Sequence, residues 1–262
     1  MNATGYAMRT DQLTVRYGSF TALSEVSVGL RAGAITGLIG PNGAGKTTLL
    51  NALSGFTDVH SGVVYLEEKD VTTLAAHRRA RAGVIRGFQT VRLLERESVL
   101  DNVLLGAERL HQPSDCSQIL GLPAHWKWRT VARSKAADVL ELLGLSSDSH
   151  RSVDSLPFAS RRLVEVARVL ISAPPVVLLD EPAAGLDQRG RIELAGALVR
   201  VHEQTGLTMA VVEHDIDFVT RLCGSVIAMD SGSHVMTGTP QEVFSDARVQ
   251  IAYFGRAANA HA

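Results

Sequence analysis

The sequence of 262 residues has little cysteine and no excess of charge of one sign. Its two cysteines, Cys116 and Cys223, are far apart and belong to no Cys-x-x-Cys or His/Cys cluster, which excludes a disulfide scaffold and offers no zinc-site pattern. Lysine and arginine number 26 against 27 aspartates and glutamates, so no overall field favours nucleic acid or an anionic membrane surface. We therefore expect a reducing compartment and no nucleic-acid partner.

Long apolar runs are also missing. No stretch reaches the ~18 apolar residues that a membrane-spanning helix needs, and the opening MNATGYAMRTDQ lacks the apolar centre of a signal peptide. Apolar residues nonetheless make up 45% of the chain, which is enough for a sizeable core. The sequence thus predicts one globular domain over 1–262 that does not itself cross a bilayer.

Short apolar runs alternate with helical patterns along the chain. A short apolar run lies over Ala34–Ile39, and a second run, Val176–Leu179, is unbroken, which is typical of a strand covered on both faces of a parallel sheet. A helix that stops at Gly55 follows the first run, and a helix over 192–201 follows the second, ahead of a strand at 207–212. This order predicts an α/β core.

The remaining segments divide between a helical insert and a C-terminal hairpin. Helical periodicity from 89 to 156, with one helix ending at Gly144, predicts a helical subdomain over about 89–159, inserted into a core of about 8–88 and 160–256. Strands at 226–229 and 234–236 predict a hairpin, and Thr239-Pro-Gln-Glu predicts a helix start with a capping box. The tail 257–262 is expected to fray.

A glycine-rich segment, GPNGAGKTT, lies between the first predicted strand and its helix. It contains the pattern G-x-x-x-x-G-K-[ST], in which backbone N–H groups and a helix N-terminus converge on a phosphate. Lys46 is expected to reach the terminal phosphates, and the Thr47 hydroxyl is expected to hold Mg²⁺. The segment therefore predicts nucleotide binding.

Acidic residues end the second buried strand, in VVLLDEP. Asp180 is expected to bind the hydration shell of Mg²⁺, and Glu181 to polarise the attacking water. His214 follows the next strand, where it could hydrogen-bond the γ-phosphate and the water.

The basic run HRRARAG, 77–83, is interpreted as a solvated helix face.

The loop, the acids and the histidine together resemble the ATP-binding subunit of ATP-binding-cassette (ABC) transporters, over nearly the whole chain. The resemblance implies an α/β fold with a P-loop NTPase (RecA-like) core, an inserted helical subdomain and an N-terminal antiparallel β region. The segments RAGVIRGFQTVRLL, DEPAAGLD, VVEHD, TGTPQEVF and AYFG are most similar to ATPases of branched-chain amino-acid and urea importers.

The same resemblance assigns further site residues. Tyr17 matches the aromatic residue that stacks on adenine, Gln89 matches the Q-loop glutamine that reaches Mg²⁺ and water, and Asp187 matches the D-loop that packs across a dimer. The catalytic set is expected to be Glu181, His214 and Gln89, and the metal set Thr47, Gln89 and Asp180. The expected nucleotide contacts are Tyr17, Gly40, Pro41, Asn42, Gly43, Ala44, Gly45, Lys46, Thr47 and Thr48.

One family element departs from its pattern. The signature loop, commonly LSGGQ, acts on the partner subunit's ATP, and here its place reads LPFAS: Leu156, Pro157, Phe158, Ala159 and Ser160. Pro157 replaces the serine hydroxyl, and Ala159 is tolerable only at negative φ. A helix N-terminus near Ser160 would still offer N–H groups to a phosphate. We therefore expect a dimer with a second ABC ATPase subunit that is a different chain.

The resemblance implies a cytoplasmic ATPase held at the inner face of the membrane by separate permease subunits, with a solute-binding protein as an indirect partner. Its expected cargo is a branched-chain amino acid or a similar small polar solute. Two alternatives stay open: the motor of a lipid exporter, and a soluble ABC ATPase that acts as a scaffold or clamp. A kinase with a similar phosphate loop does not explain the spacing of Gln89, Asp187 and His214.

Overall fold

The computed structural model describes residues 5–87, 93–109 and 123–255. The strands are β1 (Tyr6–Tyr17), β2 (Phe20–Val26), β3 (Gly29–Arg31), β4 (Ile35–Ile39), β5 (Ser61–Leu66), β6 (Lys69–Asp70), β7 (Val84–Gly87), β8 (Val176–Asp180), β9 (Thr208–Val212), β10 (Ser225–Asp230) and β11 (Ser233–Gly238). The α-helices are α1 (Lys46–Ser54), α2 (Ala76–Ala82), α3 (Val99–Leu104), α4 (Pro123–Leu142), α5 (Phe158–Leu170), α6 (Gln188–Thr205), α7 (Ile216–Leu222), α8 (Pro240–Ser245) and α9 (Ala247–Gln250). They are joined by short 3₁₀ turns, and a π-helical turn over Ile251–Gly255 follows α9.

The chain divides into two compact units. The first unit comprises Met1–Arg86, Pro175–Pro182 and Thr205–Ala262, and the second comprises Gly87–Pro174 and Ala183–Gln204. Two segments that the sequence placed in the core, 160–174 and 183–204, therefore group with the second unit. The bounds of the insert expected from sequence, 89 and 159, stay a prediction.

The first unit contains a mainly parallel sheet with the order β11-β10-β4-β9-β8-β7. The neighbours β10, β4, β9 and β8 are paired in parallel, and every residue of β4, β8 and β9 is buried. Burial on both faces explains the unbroken apolar run of β8. The predicted α/β core is confirmed.

A second sheet in the same unit is antiparallel, with the order β2-β1-β5-β6 and with β3 paired to β1. Together with the first sheet it encloses a core that includes Met8, Leu23 and Leu50. The expected N-terminal antiparallel region is therefore present. The C-terminal hairpin of β10 and β11 is confirmed as well.

Two helix ends lie where the sequence predicts them. Helix α1 ends at Gly55, whose φ of 78° lies in the left-handed region that glycine enters freely. Thr239 and Glu242 form the expected capping box at the start of α8, with Pro240 in the first turn. The tail 257–262 lies outside the described residues.

The basic run 77–83 differs from its interpretation as a solvated face. Arg79, on α2, is only 1% exposed, and its guanidinium donates to the carbonyls of Leu74, Ala52, Leu53 and Thr72. Burial lowers its pKa to about 10. The carbonyls of Ala52 and Leu53 lie in the last turn of α1, where the helix itself provides no donor, so a cation is stabilising there.

The second unit is helical and contains α3, α4, α5 and most of α6. Contacts of α3 with α4 and α5 hold these helices together. Among residues 5–87, 93–109 and 123–255, none of the helices combines the length and the apolar character that crossing a bilayer would require.

Candidate nucleotide-binding site

The glycine-rich loop lies between buried strand β4 and helix α1, as its sequence predicts. Three of its glycines, Gly40, Gly43 and Gly45, have φ of 154°, 81° and 96°, which residues with a Cβ rarely adopt. Gly45 directly precedes Lys46, the first residue of α1. The loop therefore presents its backbone at the positive end of the helix dipole.

Two of these glycines are also required by close packing. A Cβ on Gly40 would lie 2.3 Å from the carbonyl oxygen of Met229, and a Cβ on Gly45 would lie 2.8 Å from a methyl carbon of Leu23. No atom lies within 4 Å of the corresponding position on Gly43. The base of the loop is thus packed against the core, whereas Gly43, at its exposed tip, is required for its φ alone.

Lys46 is buried at the mouth of this loop. Its ammonium group donates to the carbonyls of Gly40 at 2.7 Å and Pro41 at 2.9 Å. Burial lowers the pKa of Lys46, while the charges of Glu181 and Asp180 oppose that shift. Those two carboxylates therefore lie within electrostatic reach of the lysine, and the motifs from β4 and β8 share one site.

Asp180 ends strand β8 with its side chain fully buried. Its Oδ2 accepts a hydrogen bond from Nη2 of Arg86 at 2.5 Å, in a buried ion pair. Nη1 of the same guanidinium donates to the amide oxygen of Asn51 on α1. Oδ1 of Asp180 is buried without a hydrogen-bond partner among the described residues.

Glu181 adopts a left-handed backbone conformation immediately after β8. Its φ is 50°, which is uncommon for a residue with a long side chain. Its N–H donates to the carbonyl of Val212, and its Oε1 lies 3.0 Å from Nε2 of His214. Both side chains are partly exposed, so the pair predicted from separate motifs meets at the surface of the site.

The fit to Mg²⁺ rests on oxygen donors. Among the described residues no group of three or more His, Cys, Asp or Glu side chains is arranged to hold a metal. The Thr47 hydroxyl and the Asp180 carboxylate would offer hard oxygen donors, and the buried Oδ1 of Asp180 has no hydrogen-bond partner among the described residues. A site with few protein oxygens suits an ion that keeps several waters and is shared with phosphates, as Mg²⁺ does.

Of two further residues expected at the site, the structure describes Tyr17 but not Gln89. Tyr17 is 49% exposed at the end of β1, and its hydroxyl lies 3.1 Å from that of Thr57. This exposure is compatible with stacking on a base. Gln89 lies outside the described residues, so its position in the site stays a prediction.

The signature segment belongs to the second unit. Helix α5 begins at Phe158 with Pro157 as its N-cap, two residues earlier than expected, and no side chain caps it. The carbonyls of Asp154 and Leu156 accept hydrogen bonds from Arg161. Phe158 is 47% exposed, so the segment presents an apolar ring beside the N–H groups of the first turn.

Ala159 lies inside helix α5 and so has the negative φ that an alanine needs. Its Cβ is 3.3 Å from the position that a Cβ on Gly190 would occupy. Ala159 replaces the second glycine of the usual signature loop, and its methyl group has room because residue 190 on α6 is a glycine. In the same unit, the D-loop residue Asp187 accepts a hydrogen bond from the N–H of Gly190 at 2.8 Å and caps the start of α6.

Two residues with a direct bearing on the site were not found from the sequence. Arg86 pairs with Asp180, 94 positions away, and the hydroxyl of Tyr253 accepts a hydrogen bond from the N–H of Gly40. Neither residue belongs to a local pattern that indicates its partner. The only sequence signal was their position, since Arg86 lies in IRGFQ and Tyr253 in AYFG, two segments that carried the resemblance.

Comparison with known proteins adds to this geometry. Residues 23–184 match the family described as ABC transporter. This chain belongs to the ABC transporter family. The family membership makes it an ATPase whose hydrolysis of ATP is coupled to transport, and it confirms the resemblance inferred from the sequence.

Relatives within the ABC family match over nearly their whole length. The high-affinity branched-chain amino acid transport ATP-binding protein LivG of Salmonella typhimurium is 34% identical, over 94% of this chain and 96% of its own. The corresponding protein BraF of Pseudomonas aeruginosa is 31% identical over the same shares. A probable LivG of Methanocaldococcus jannaschii is 31% identical over 97% of this chain and all of its own.

Solved ABC structures have the same fold. The ADP conformation of MJ1267, an ATP-binding cassette of an ABC transporter, superposes with a TM-score of 0.82 at 30% identity, over 95% of this chain and 99% of that one. The cassette cbiO1 from Clostridium perfringens gives a TM-score of 0.79 at 26% identity, over 98% and 99% of the two chains. The ABC ATPase fold is therefore confirmed.

Proposed function

We propose that this chain is the ATP-hydrolysing motor of an importer for branched-chain amino acids or a similar small polar solute. The observation that carries the catalytic part is the contact of Glu181 with His214, whose Oε1 and Nε2 lie 3.0 Å apart at the ends of the neighbouring parallel strands β8 and β9. The charges of Glu181 and Asp180 also act on Lys46 of the phosphate loop. The names of LivG and BraF support the class of cargo.

In this proposal the loop from Gly40 to Thr48 binds the phosphates of ATP. Thr47, Asp180 and Gln89 hold Mg²⁺, which when bound neutralises charge on the phosphates. Lys46 leaves the carbonyls of Gly40 and Pro41 to contact the terminal phosphates. Tyr17 stacks on the adenine, and the remaining loop residues, Pro41, Asn42, Gly43, Ala44, Gly45 and Thr48, line the phosphates.

Glu181 and His214 perform the proton chemistry. Glu181 accepts a proton from the attacking water, and His214, 3.0 Å away, holds that carboxylate in place and senses the γ-phosphate.

The sequence of the signature segment favours a dimer with a different ATPase subunit over a dimer of two identical chains. Pro157 provides no hydroxyl to a neighbouring ATP, so a site completed by a second copy of LPFAS would lack one charged hydrogen bond, worth about 1.5 to 3 kcal/mol. A different subunit with an intact signature loop would complete this chain's own site, and Asp187 would pack across that dimer. Equal ATP turnover per site, measured for the purified chain alone and for the reconstituted pair, would contradict this arrangement.

The membrane subunits select the cargo in this proposal. The chain would lie at the inner face of the membrane, attached to permease subunits, and a solute-binding protein would act through them. The test is to purify the assembled complex from native membranes, reconstitute it in vesicles and measure uptake of radiolabelled leucine, isoleucine and valine with and without ATP. ATP-dependent uptake supports the proposal, and extraction of lipid without uptake of any amino acid would overturn it.

A further inference from the structure

We propose that Arg86 is a positioning residue that sets the spacing between two of the elements that carry the protein's Mg²⁺ ligands. The inference rests on the proposed function, in which Thr47 on α1 and Asp180 on β8 are two of the three ligands. Arg86 lies on a third element, β7, and its guanidinium contacts both of the others. None of the sequence patterns assigned it a role.

The contact with β8 is an ion pair of close geometry. Nη2 of Arg86 donates to Oδ2 of Asp180 at 2.5 Å, and the two side chains are 13% and 0% exposed. Removing two charges from water at this depth is costly, and a buried pair is therefore weak evidence for stability alone. A function for the orientation it imposes accounts better for its presence.

The contact with α1 reaches the side of the helix that carries the other ligand. Nη1 of Arg86 donates to Asn51, which lies four positions after Thr47. Residues four apart lie on the same face of an α-helix, one turn from each other. Because a guanidinium is planar and rigid, its two contacts fix the face of α1 that carries Thr47 at one distance from the carboxylate of Asp180.

The ion pair also decides which oxygen of Asp180 is available. Oδ2 is committed to Arg86, while Oδ1 is buried and has no hydrogen-bond partner among the described residues. Without the guanidinium, the carboxylate could rotate and exchange its two oxygens. Arg86 thus leaves one defined oxygen for the ion or its water.

The test compares nucleotide binding with and without the ion, which needs no turnover. Binding of a fluorescent ATP analogue is measured in EDTA and in Mg²⁺ for the wild type, Arg86→Met, Asn51→Ala and Arg78→Met. Residues that orient metal ligands typically contribute about tenfold or more to metal affinity. We call the ratio of the nucleotide affinity in Mg²⁺ to that in EDTA the Mg²⁺-dependent gain. In Arg86→Met this gain should be about tenfold smaller than in the wild type, while the affinity in EDTA is unchanged.

The other variants separate positioning from folding. Asn51→Ala keeps the ion pair and should lose part of the gain, whereas Arg78→Met, at an exposed position of α2, should keep all of it. If Arg86→Met does not fold, the Mg²⁺-dependent gain in affinity is measured in Asn51→Ala and Arg86→Lys instead. An unchanged gain, or an equal fall in nucleotide affinity in EDTA and in Mg²⁺, would overturn the role of Arg86. A wild type that binds no nucleotide would instead overturn the proposed function.

Discussion

The hydroxyl of Tyr253 accepts a hydrogen bond from the backbone N–H of Gly40 at 2.7 Å, across 213 positions of the chain. Gly40 is the first residue of the phosphate loop and is buried, so this N–H would otherwise lack access to water. Burial also raises the pKa of Tyr253, which keeps the phenol neutral. The C-terminal turn therefore braces the base of the nucleotide site.

Tyr253→Phe should lower the free energy of unfolding by about 1 to 3 kcal/mol, because a buried donor is left without an acceptor. The KM for ATP should rise as the loop loosens. Urea denaturation and steady-state ATPase assays measure the two effects. Tyr65→Phe is the matched control, since the ring that stacks under Arg9 is retained. Equal stability of the two variants would contradict the role of the hydroxyl.

The glycines of the loop should differ in their tolerance of alanine. Gly43→Ala meets no atom and should cost only the left-handed backbone penalty, about 1 to 2 kcal/mol. Gly40→Ala adds a clash with the carbonyl of Met229 and should cost more than 4 kcal/mol, a size that is exceptional for one substitution. Thermal unfolding of both variants tests this order, and the reverse order would contradict the packing described.

Arg79→Met should destabilise the fold strongly. The substitution leaves four carbonyls without their donor, and each hydrogen bond to a charged group contributes about 1.5 to 3 kcal/mol, so a total loss of more than 3 kcal/mol is expected. Arg78→Met, one position earlier and exposed, should be within about 0.5 kcal/mol of the wild type. Urea denaturation of the pair decides whether Arg79 is structural.

Cys223 should make stability fall with pH in alkaline solution. Burial raises its pKa from 9.0 to about 12, and the charge of Glu213 adds to the shift. Between these values the unfolded thiol loses its proton while the folded one keeps it, so the folded state is disfavoured by about 1.4 kcal/mol per pH unit. The free energy of unfolding should thus fall more steeply from pH 9 to 10 in the wild type than in Cys223→Ala, and parallel slopes would contradict this.

The sequence predicted what short-range patterns encode. Strand β8 carries a continuous apolar run, and the glycine pattern lies between the shorter apolar run of β4 and the start of α1. The order of these elements and the loop between β4 and α1 could therefore be predicted without a structure. Glu181 and His214 were each predicted from the sequence as catalytic residues, and the structure adds their contact, since β8 and β9 are parallel neighbours whose carboxyl ends lie together.

Long-range polar contacts were not predictable in the same way. Arg86 and Tyr253 have partners 94 and 213 positions away, and a single arginine or tyrosine carries no periodicity that names a partner. Arg79 was interpreted as solvated because helical spacing alone does not reveal that free carbonyls of α1 lie above it. These residues depend on tertiary placement, which composition and spacing do not determine.

The most direct test of the central claim is ATP turnover by Glu181→Gln in the assembled complex. A positioned general base typically contributes a factor of about 10² to 10⁴, so turnover should fall by at least about a hundredfold. Binding of ATP should be retained, because the phosphate loop and Lys46 are unchanged. Normal turnover in this variant would contradict the assignment of Glu181 and the hydrolytic mechanism built on it.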